Sequence, residues 1–390
     1  MELVALLISD WKNTEDDKES SWVMPVEGPE RVTVAIRGAS PITGWRGTYP
    51  QLLGAFAGEL QVDVALSVQA RYSVLDLMFA AIDARHYVTM GHDYNLPFGL
   101  WGMEQDDDTI EKQRSLLEAE NMTMLCTSRD LANYVDVHSE RRVSTRLCYC
   151  ADYGYFDPPK DEGIFPPEVC DRGGAVTFIS PCPSKGLPIF LRLALELSNV
   201  QFICVSTGWT KSIHEVQLRL HQNVEIVPGS DDIDSIYRRT AVLLMPSLWQ
   251  ESFGLVAVEA QLRGIPVVST DTCGLSEANF VPELRVPDVR MVHDSRSRNM
   301  LRNTTLAEAA AVLKPDRPGH KTLYKDVDND QIGFVHTLVA TVEESGGFVE
   351  RIRELMSNPQ HRFTTGHLAR KRAIAHVEER RGMLARTLQS

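Results

Sequence analysis

The sequence has few cysteines and no pair spaced to bind a metal ion. Its 7 cysteines are scattered between Cys126 and Cys273, their number is odd, and no CxxC pair occurs. A long chain with this pattern is seldom stabilised by disulfides or structural zinc, so a reducing compartment fits best. We therefore expect a cytoplasmic protein that needs no metal.

Long apolar segments are also missing. No apolar run approaches the roughly 18 residues of a membrane-spanning helix. The short run Leu3–Ile8 follows an acidic start and is too short for the apolar part of a signal peptide. The formal net charge of -13 disfavours nonspecific binding to nucleic acid. We predict no transmembrane segment, no signal peptide and no nucleic-acid partner.

Several familiar catalytic motifs are absent. The chain contains neither the GxxxxGK[ST] phosphate loop nor the GxSxG nucleophile elbow. His214-Glu215 and His221 have the wrong spacing for the zinc-binding HExxH helix. These absences argue against a P-loop nucleotidase, an α/β-hydrolase and a zinc protease.

The composition of the chain is that of an average globular protein, and strand and helix patterns alternate along it. Hydrophobic residues make up 43% and charged residues 24%, and 390 residues exceed what one hydrophobic core normally serves. Short β-branched runs alternate with helical patterns, which predicts βαβ units and parallel sheets. In the first half the predicted strands are Leu3–Ser9, Arg31–Ile36, Val62–Val68, His86–Met90 and Met122–Cys126. The predicted helices there are Tyr49–Leu60, Val74–Asp83, Asp108–Ala119 and Asp130–Val137.

A stretch rich in proline and glycine, Phe156–Gly174, interrupts this alternation and is typical of a linker. The alternation then restarts. The predicted strands are Ala175–Ile179, Gln201–Val205, Val224–Val227, Ala241–Met245 and Ile265–Ser269. The predicted helices are Leu187–Leu197, Ile233–Thr240, Phe253–Arg263 and a helical zone over Gly347–Leu388. Residues 281–335 are polar and weakly periodic, which predicts a long surface excursion, partly disordered.

These patterns predict an α/β protein with two Rossmann-like parallel-sheet domains. The first domain covers residues 1–157, a linker covers 158–173, and the second domain covers 174–369. Residues 370–390 form the C-terminal tail.

The most informative segment lies in the second domain, from Leu243 to Glu277. A buried strand ends at Pro246-Ser247, and a helix opens after a loop at Phe253-Gly254. Ligands of open parallel sheets bind outside the carboxyl ends of the strands, and a helix start offers free N–H groups to a diphosphate. Gly254 lets the backbone approach such a ligand closely.

Two acids flank this predicted helix start. Glu251 precedes the helix, and Glu259 lies about one and a half turns into it at roughly 3.6 residues per turn. Glu259 could accept paired hydrogen bonds from a ribose diol, and Glu251 could hold hydroxyls of a transferred group. They could equally be a loop acid and an acid on a solvated helix face. The apolar neighbours of Glu259 weaken that alternative.

The stretch Glu251–Ala260 resembles the E-x7-E signature of family 4 retaining glycosyltransferases. Its flanks are similar as well: Met245-Pro246-Ser247 before it, and Gly264–Ser269 and Gly274–Glu277 after it. Upstream, Val176–Gly186 resembles the strand and Lys-Gly turn that open the donor domain of this family. The resemblance covers about residues 174–280. It implies the GT-B fold, in which the two domains face a central cleft and the C-terminal helix crosses back onto the N-terminal domain.

Carried over to this chain, the resemblance implies a role for each matching residue. Glu259 would bind the ribose, Glu251 would contact the donor sugar, and Lys185 beside Gly186 would neutralise the diphosphate. His92, at the end of a strand in the first domain, would contact the donor sugar or the leaving phosphate. The donor would also be bound by the helix start, at Ser252, Phe253, Gly254 and Leu255, and by the segment near the base, at Pro228, Gly229 and Ser230.

One position departs from the family pattern. The family usually carries an arginine four residues before the lysine, and Pro181 stands there in this chain. A second cation for the phosphate is therefore missing, and donor affinity could be weaker or be supplied by another residue.

The resemblance implies a hexosyltransferase that uses a nucleoside diphosphate sugar, with a UDP-sugar preferred, as co-substrate and no other cofactor. The acceptor, a glycan, lipid or small molecule, is not readable from the sequence. Lys185 and the helix start would stabilise the leaving diphosphate, and front-face attack with retained configuration is favoured over double displacement. Two alternatives stay open: a non-catalytic GT-B protein that binds sugar nucleotides or glycans, and a GT-B sugar-nucleotide epimerase.

Overall fold

The structure is a computed structural model, and its description covers thirteen parts of the chain. These are residues 4–6, 32–34, 64–68, 79, 82–90, 107–139, 141–148, 174–182, 185–248, 251–287, 322–323, 336–337 and 342–389. The chain divides into two compact units, of which the first comprises residues 1–62 and 80–82 and the second the remainder. In the first unit, strands β1 (Val4–Leu6) and β2 (Val32–Val34) pair in parallel.

The second unit contains a four-stranded parallel sheet with the strand order β3-β4-β5-β6. Its strands are β3 (Val64–Val68), β4 (Arg85–Met90), β5 (Met122–Cys126) and β6 (Thr145–Leu147). Helices α1 (Asp107–Leu117) and α2 (Arg129–His138) flank β5 in the chain. A buried cluster joins these elements through Val88, Leu117, Met124, Leu131 and Val135.

The same unit contains a six-stranded parallel sheet with its own helices. Its strands are β7 (Ala175–Ile179), β8 (Phe202–Ser206), β9 (Val224–Pro228), β10 (Thr240–Met245), β11 (Val267–Thr270) and β12 (Arg285–Val286). The helices are α3 (Leu187–Glu196), α4 (Ser212–Leu218), α5 (Ile233–Tyr237), α6 (Leu255–Leu262) and α7 (Cys273–Ala278). A 3₁₀ turn spans Pro282–Leu284. Strands β13 (Thr322–Leu323) and β14 (His336–Thr337) form an antiparallel pair elsewhere in this unit.

The strand order of the large sheet is β12-β11-β10-β7-β8-β9. The chain starts at β7 in the middle, runs outward through β8 to β9, returns to place β10 on the other side of β7, and then runs outward through β11 to β12. The direction of winding therefore reverses between β7 and β10. In open α/β sheets this reversal opens a crevice at the carboxyl ends of the two strands, where ligands bind.

Strand β10 is apolar at nearly every position because both of its faces are covered. Val242 and Leu244 belong to a buried cluster with residues of α3 and of a later helix, α8 (Val342–Ser357), including Phe190 and Phe348. Leu243 points to the opposite cluster, which contains residues of α6. A continuous apolar run is what a parallel strand buried on two faces requires.

Three helices end the chain: α8 (Val342–Ser357), α9 (Pro359–Arg380) and α10 (Met383–Gln389). The side chain of Asn358 accepts a hydrogen bond from the backbone N–H of His361 (3.0 Å), which caps α9. Leu388 of α10 packs against Tyr87, Leu125 and Cys148 of the four-stranded sheet. The predicted domain boundaries and the predicted return of the C-terminal tail to the N-terminal domain stay predictions.

Some predicted elements differ from the structure. The helix predicted over Ile233–Thr240 ends at Tyr237, because Thr240 already begins β10. The helix predicted over Phe253–Arg263 begins only at Leu255. Asp83 is not helical although a helix was predicted to end there. The surface excursion predicted over 281–335 is wrong at its start, where β12 adds a strand to the edge of the sheet. The sequence did not indicate this strand, because two residues are too few to show a period.

The further elements that were not predicted are the strands β6, β13 and β14, the helices α4 and α7, and the 3₁₀ turn. Each is a short segment of two to seven residues. The predicted helix Tyr49–Leu60 lies outside the described residues. Among the residues that the structure describes, no helix combines the length and apolar character needed to cross a bilayer.

Candidate functional site

The candidate site lies where the winding of the large sheet reverses. Strand β7 ends at Ile179 and leads to the turn at Lys185-Gly186, and its neighbour β10 ends at Met245 and leads to the loop before α6. Parallel neighbours bring these two carboxyl ends to the same edge. Chain segments that are far apart in sequence therefore meet at one crevice.

The turn after β7 depends on a glycine at position 186. Gly186 caps α3 with a φ of 95°, a left-handed backbone conformation that suits glycine. A Cβ atom at this position would lie 2.0 Å from the carbonyl oxygen of Pro246. Only glycine therefore lets the turn rest on the end of β10, and this contact fixes the position of Lys185 beside it.

Lys185 and Glu251 form an ion pair across the crevice. The Nζ atom of Lys185 lies 2.6 Å from Oε1 of Glu251, and the hydroxyl of Ser247 donates to the same oxygen at 2.8 Å. The carboxylate side chain is only 13% exposed, whereas that of Lys185 is 34% exposed. The lysine thus keeps access to solvent while it balances the charge of a largely buried acid.

Helix α6 begins beside this ion pair. Its N-cap is Gly254, with a φ of 115°, and its first residue is Leu255, half-buried. The preceding residues Ser252 and Phe253 are buried, and the Phe253 ring stacks on His376 of α9 at 5.4 Å between centroids. Packing therefore fixes Ser252 and Phe253 and leaves the positive end of the α6 dipole at the carboxyl edge of the sheet.

Glu259 is held in a partly buried polar network one to two turns into α6. The hydroxyl of Tyr237 donates to its Oε2 atom at 3.0 Å. Arg263 donates to the backbone oxygen of Glu259 at 3.0 Å, forms an ion pair with Asp234, and stacks over the Tyr237 ring at 5.0 Å. Glu259 is thus not an acid on a solvated helix face.

Burial raises the pKa of Glu259 above its usual value, and the nearby carboxylate of Asp234 adds to this. The hydrogen bond from Tyr237 and the charge of Arg263 oppose the rise. Burial, followed by the negative charge of Glu259, raises the pKa of Tyr237 well above its usual range. The phenol therefore stays protonated and acts as a donor to Glu259.

A second contact region ties this loop to the four-stranded sheet. The backbone N–H of Gly274 donates to the carbonyl oxygen of Glu251 at 3.0 Å, which joins the start of α7 to the loop. At the other end of α7, Oε1 of Glu277 accepts a hydrogen bond from the backbone N–H of Asp130 at 3.0 Å. Asp130 lies in the first turn of α2, and the Glu277 carboxylate therefore lies near the positive end of the α2 dipole, where a negative charge is stabilised.

The structure brings most of the predicted site residues to one edge of the large sheet. Pro228, Gly229 and Ser230 are exposed at the carboxyl end of β9, two strands and so roughly 10 Å from β7. The backbone N–H of Gly229 donates to Ser206 at the end of β8 (2.9 Å). His92 lies outside the described residues, and its role stays a prediction.

Three residues of the site were not predicted from the sequence: Ser247, Tyr237 and Arg263. Ser247 precedes Glu251 by four residues, and Arg263 follows Glu259 by four, the spacing of neighbours on a helix. That spacing could have indicated Arg263. Tyr237 lies on a different helix, and no sequence pattern links it to Glu259.

Comparison with known proteins identifies the fold. Residues 174–294 match the family model described as Glycosyl transferases group 1. The chain has the GT-B fold. It superimposes on sucrose-phosphate synthase from Thermosynechococcus elongatus with a TM-score of 0.59 and 14% identity, covering 91% of this chain and 83% of that one. It also superimposes on the Anabaena HepE protein in complex with UDP-glucose, with a TM-score of 0.57, 15% identity, and coverage of 92% and 85%.

Similarity in sequence to curated proteins is confined to short segments. The chain is 29% identical over 130 residues to a D-inositol 3-phosphate glycosyltransferase of Salinispora tropica, which is 28% of this chain and 27% of that protein. Two other curated relatives are matched over 19% and 28% of their own length. The chain thus spans less than a third of the length of these relatives.

Proposed function

We propose that the chain is a retaining glycosyltransferase. It transfers a hexosyl unit from a nucleoside diphosphate sugar, a UDP-sugar in the first instance, to an acceptor hydroxyl on a glycan, lipid or small molecule. No divalent metal takes part, and the protein acts in the cytoplasm. The observation that carries the proposal is the meeting of Lys185, Glu251 and the start of α6 at the point where the sheet reverses its winding.

A diphosphate fits this corner on electrostatic grounds. The α6 start supplies the positive end of a helix dipole and N–H groups at Gly254 and Leu255. Lys185 lies at the same edge with part of its side chain exposed to solvent. A bound diphosphate would attract the ammonium group of Lys185 toward the phosphate oxygens and so weaken the ion pair between Lys185 and Glu251.

The remaining site residues suit the other parts of the donor. Glu259 would bind a ribose hydroxyl from within α6, and Pro228, Gly229 and Ser230 would line the region of the base. Glu251 would accept hydroxyls of the sugar. The preference for uracil draws support from HepE, a neighbour of the same fold that was crystallised with UDP-glucose and with UDP.

The chemistry requires charge stabilisation more than a strong acid. The bond between the anomeric carbon and the β-phosphate oxygen breaks, and its electron pair leaves with the nucleoside diphosphate. The acceptor oxygen bonds to the same face of that carbon and passes its proton to the departing phosphate. Lys185 and the α6 start would stabilise the negative charge that develops on the leaving group.

The proposed role of Glu251 is to bind the sugar rather than to attack it. Oε1 accepts hydrogen bonds from Lys185 and Ser247, and both interactions reduce the electron density available for nucleophilic attack. A double displacement would need a carboxylate free to bond to the anomeric carbon. The arrangement favours front-face attack, in which configuration is retained without a covalent intermediate.

The proposal is tested by presenting purified protein with UDP-, GDP-, ADP- and TDP-sugars and measuring the thermal shift and donor hydrolysis. We expect a UDP-sugar to raise the melting temperature and to be slowly hydrolysed without an acceptor. The Glu259→Ala variant should raise the donor KM. The matched control is Glu225→Ala, which removes an exposed glutamate of the same sheet that pairs with Arg239.

Each rival function predicts a different outcome. A non-catalytic sugar-nucleotide binder would show the thermal shift without any hydrolysis or transfer. An epimerase would convert the sugar while the nucleotide stayed attached. If no sugar nucleotide stabilises the protein, or if Glu259→Ala keeps the donor affinity of the wild type, the donor site is wrongly assigned.

A further inference from the structure

Glu259 is partly buried on α6, and burial favours the protonated form of a carboxylate. Burial is the main cause of its raised pKa. A protonated acid would bind a ribose hydroxyl more weakly, because hydrogen bonds to charged acceptors are the stronger ones. The site therefore needs groups that keep Glu259 ionised and aimed at the crevice.

Two side chains supply that support. Tyr237 is fully buried, and its hydroxyl donates to Oε2 of Glu259 at 3.0 Å. Arg263 is largely buried and donates to Asp234 from its Nε atom and to the backbone oxygen of Glu259 from its Nη1 atom. Its guanidinium group also lies over the Tyr237 ring, 5.0 Å from the centroid, and so fixes the ring whose hydroxyl reaches Glu259.

We infer that Tyr237 is a positioning residue for nucleotide binding: its hydroxyl, with Arg263 behind it, holds Glu259 as an oriented carboxylate that accepts a ribose hydroxyl. This inference rests on the proposed function, because it assumes that Glu259 binds the ribose. It goes beyond that function by assigning the ribose site a supporting pair, on α5 and just beyond α6, that touches no substrate itself.

In the described part of the chain, the titratable and charged groups that act on Glu259 are Tyr237, Arg263 and Asp234. Helix α9 packs on α6 as well, but its Arg370 donates to the Leu262 carbonyl oxygen and its His376 stacks on Phe253. On α7, the Glu277 carboxylate is directed to Asp130. Loss of the Tyr237 hydroxyl should therefore change the orientation and ionisation of Glu259 directly.

The test compares Tyr237→Phe with the wild type by calorimetric titration with UDP between pH 5.5 and 8. Phenylalanine preserves the packing and removes only the hydrogen bond. We expect UDP affinity at neutral pH to fall by roughly tenfold, the loss typical of one hydrogen bond to a charged group. The loss should grow toward low pH, because Glu259 without its donor protonates at higher pH. The phosphate ionisation of UDP is common to both proteins and cancels in the comparison.

A second ligand separates positioning from general damage. The wild type should bind 2′,3′-dideoxy-UDP more weakly than UDP, and Tyr237→Phe should reduce that discrimination. Tyr134→Phe is the matched control, since it removes the hydroxyl of another buried tyrosine, in α2. It should leave the affinity for both ligands and the pH profile unchanged. Arg263→Gln is a second test variant and should shift the pH profile in the same direction as Tyr237→Phe.

The outcomes are distinguishable. If both Tyr237→Phe and Arg263→Gln keep the wild-type affinity, discrimination and pH profile, the inference is overturned. Should Tyr237→Phe fail to fold, the result with Arg263→Gln decides. If Glu259→Ala abolishes the discrimination between the two ligands while the supporting variants do not, only the positioning role fails. If Glu259→Ala also keeps that discrimination, the proposed donor site itself is wrong.

Discussion

The side chains of Lys185 and Glu251 meet at 2.6 Å although 66 residues separate them in the chain. Lys185 follows β7, and Glu251 follows β10, the two strands between which the sheet reverses its winding. The ion pair therefore joins the segments that follow β7 and β10, on the two sides of the crevice where an α/β sheet binds ligands. A phosphate that enters this crevice would meet the cation first, because Lys185 is the more exposed partner.

Replacing Lys185 with alanine should lower turnover of the sugar nucleotide by roughly 100-fold, since one group that stabilises the leaving diphosphate is lost. Lys185→Arg should recover part of the activity because it restores the charge. The measurement is donor hydrolysis or transfer by the purified variants. Lys371→Ala, an exposed lysine on α9, is the control and should behave like the wild type. Equal turnover for Lys185→Ala and the control would remove Lys185 from the mechanism.

The Gly186→Ala variant should lose at least about 2 kcal/mol of unfolding free energy. Alanine is strained at a φ of 95°, and its Cβ atom would lie 2.0 Å from the Pro246 carbonyl oxygen. Gly208→Ala is the matched control, because a Cβ there meets no heavy atom within 4 Å, and its effect should stay within about 0.5 kcal/mol. Urea denaturation of both variants gives the comparison. Equal stabilities would show that the turn tolerates a side chain.

Stability should fall as the pH drops from 6.5 toward 3, and His376 should contribute to this. Burial first, and then the charge of Arg380, lowers the pKa of His376 from 6.5 to about 3. The unfolded chain therefore binds a proton in this window that the folded chain does not, and stability rises with pH by up to about 1.4 kcal/mol per pH unit. Above pH 6.5 the contribution is complete.

His376→Phe should flatten this slope while it keeps the stacking on Phe253 and the ring contact with Phe280. Urea denaturation at pH 5, 6 and 7 measures the slope. His367→Phe, at an exposed position of the same helix, serves as the control for the substitution itself. An unchanged slope in His376→Phe would show that other groups cause the acid destabilisation.

The Glu277→Ala variant should lose about 1 kcal/mol of unfolding free energy, because the backbone N–H of Asp130 in the first turn of α2 loses its carboxylate acceptor. Glu277→Gln keeps a side-chain oxygen and should lose less. Denaturant titration measures both, with Glu350→Ala on the exposed face of α8 as the control. Stabilities of Glu277→Ala and Glu350→Ala that coincide would contradict the capping role.

Sequence patterns predicted the longer strands of both parallel sheets well. The strands Ala175–Ile179 and Met122–Cys126 match the predicted bounds, because an apolar run bounded by polar residues has the length of one strand. The sequence patterns did not predict the short elements. Helix α7 has six residues and strand β12 two, and their stability comes from neighbouring segments rather than from local periodicity.

The sequence by itself determined the alternation of strands and helices, the apolar character of β10, and the placement of one acid before α6 and another within it. These are local properties, set by periodicity and by residues close in the chain. The tertiary structure alone decided the strand order, and with it the crevice between β7 and β10. It also decided that Tyr237 serves Glu259 and that Glu277 caps a helix 147 residues away. Such pairings depend on how whole elements pack, and a pattern along one chain carries no record of which helix will lie against which.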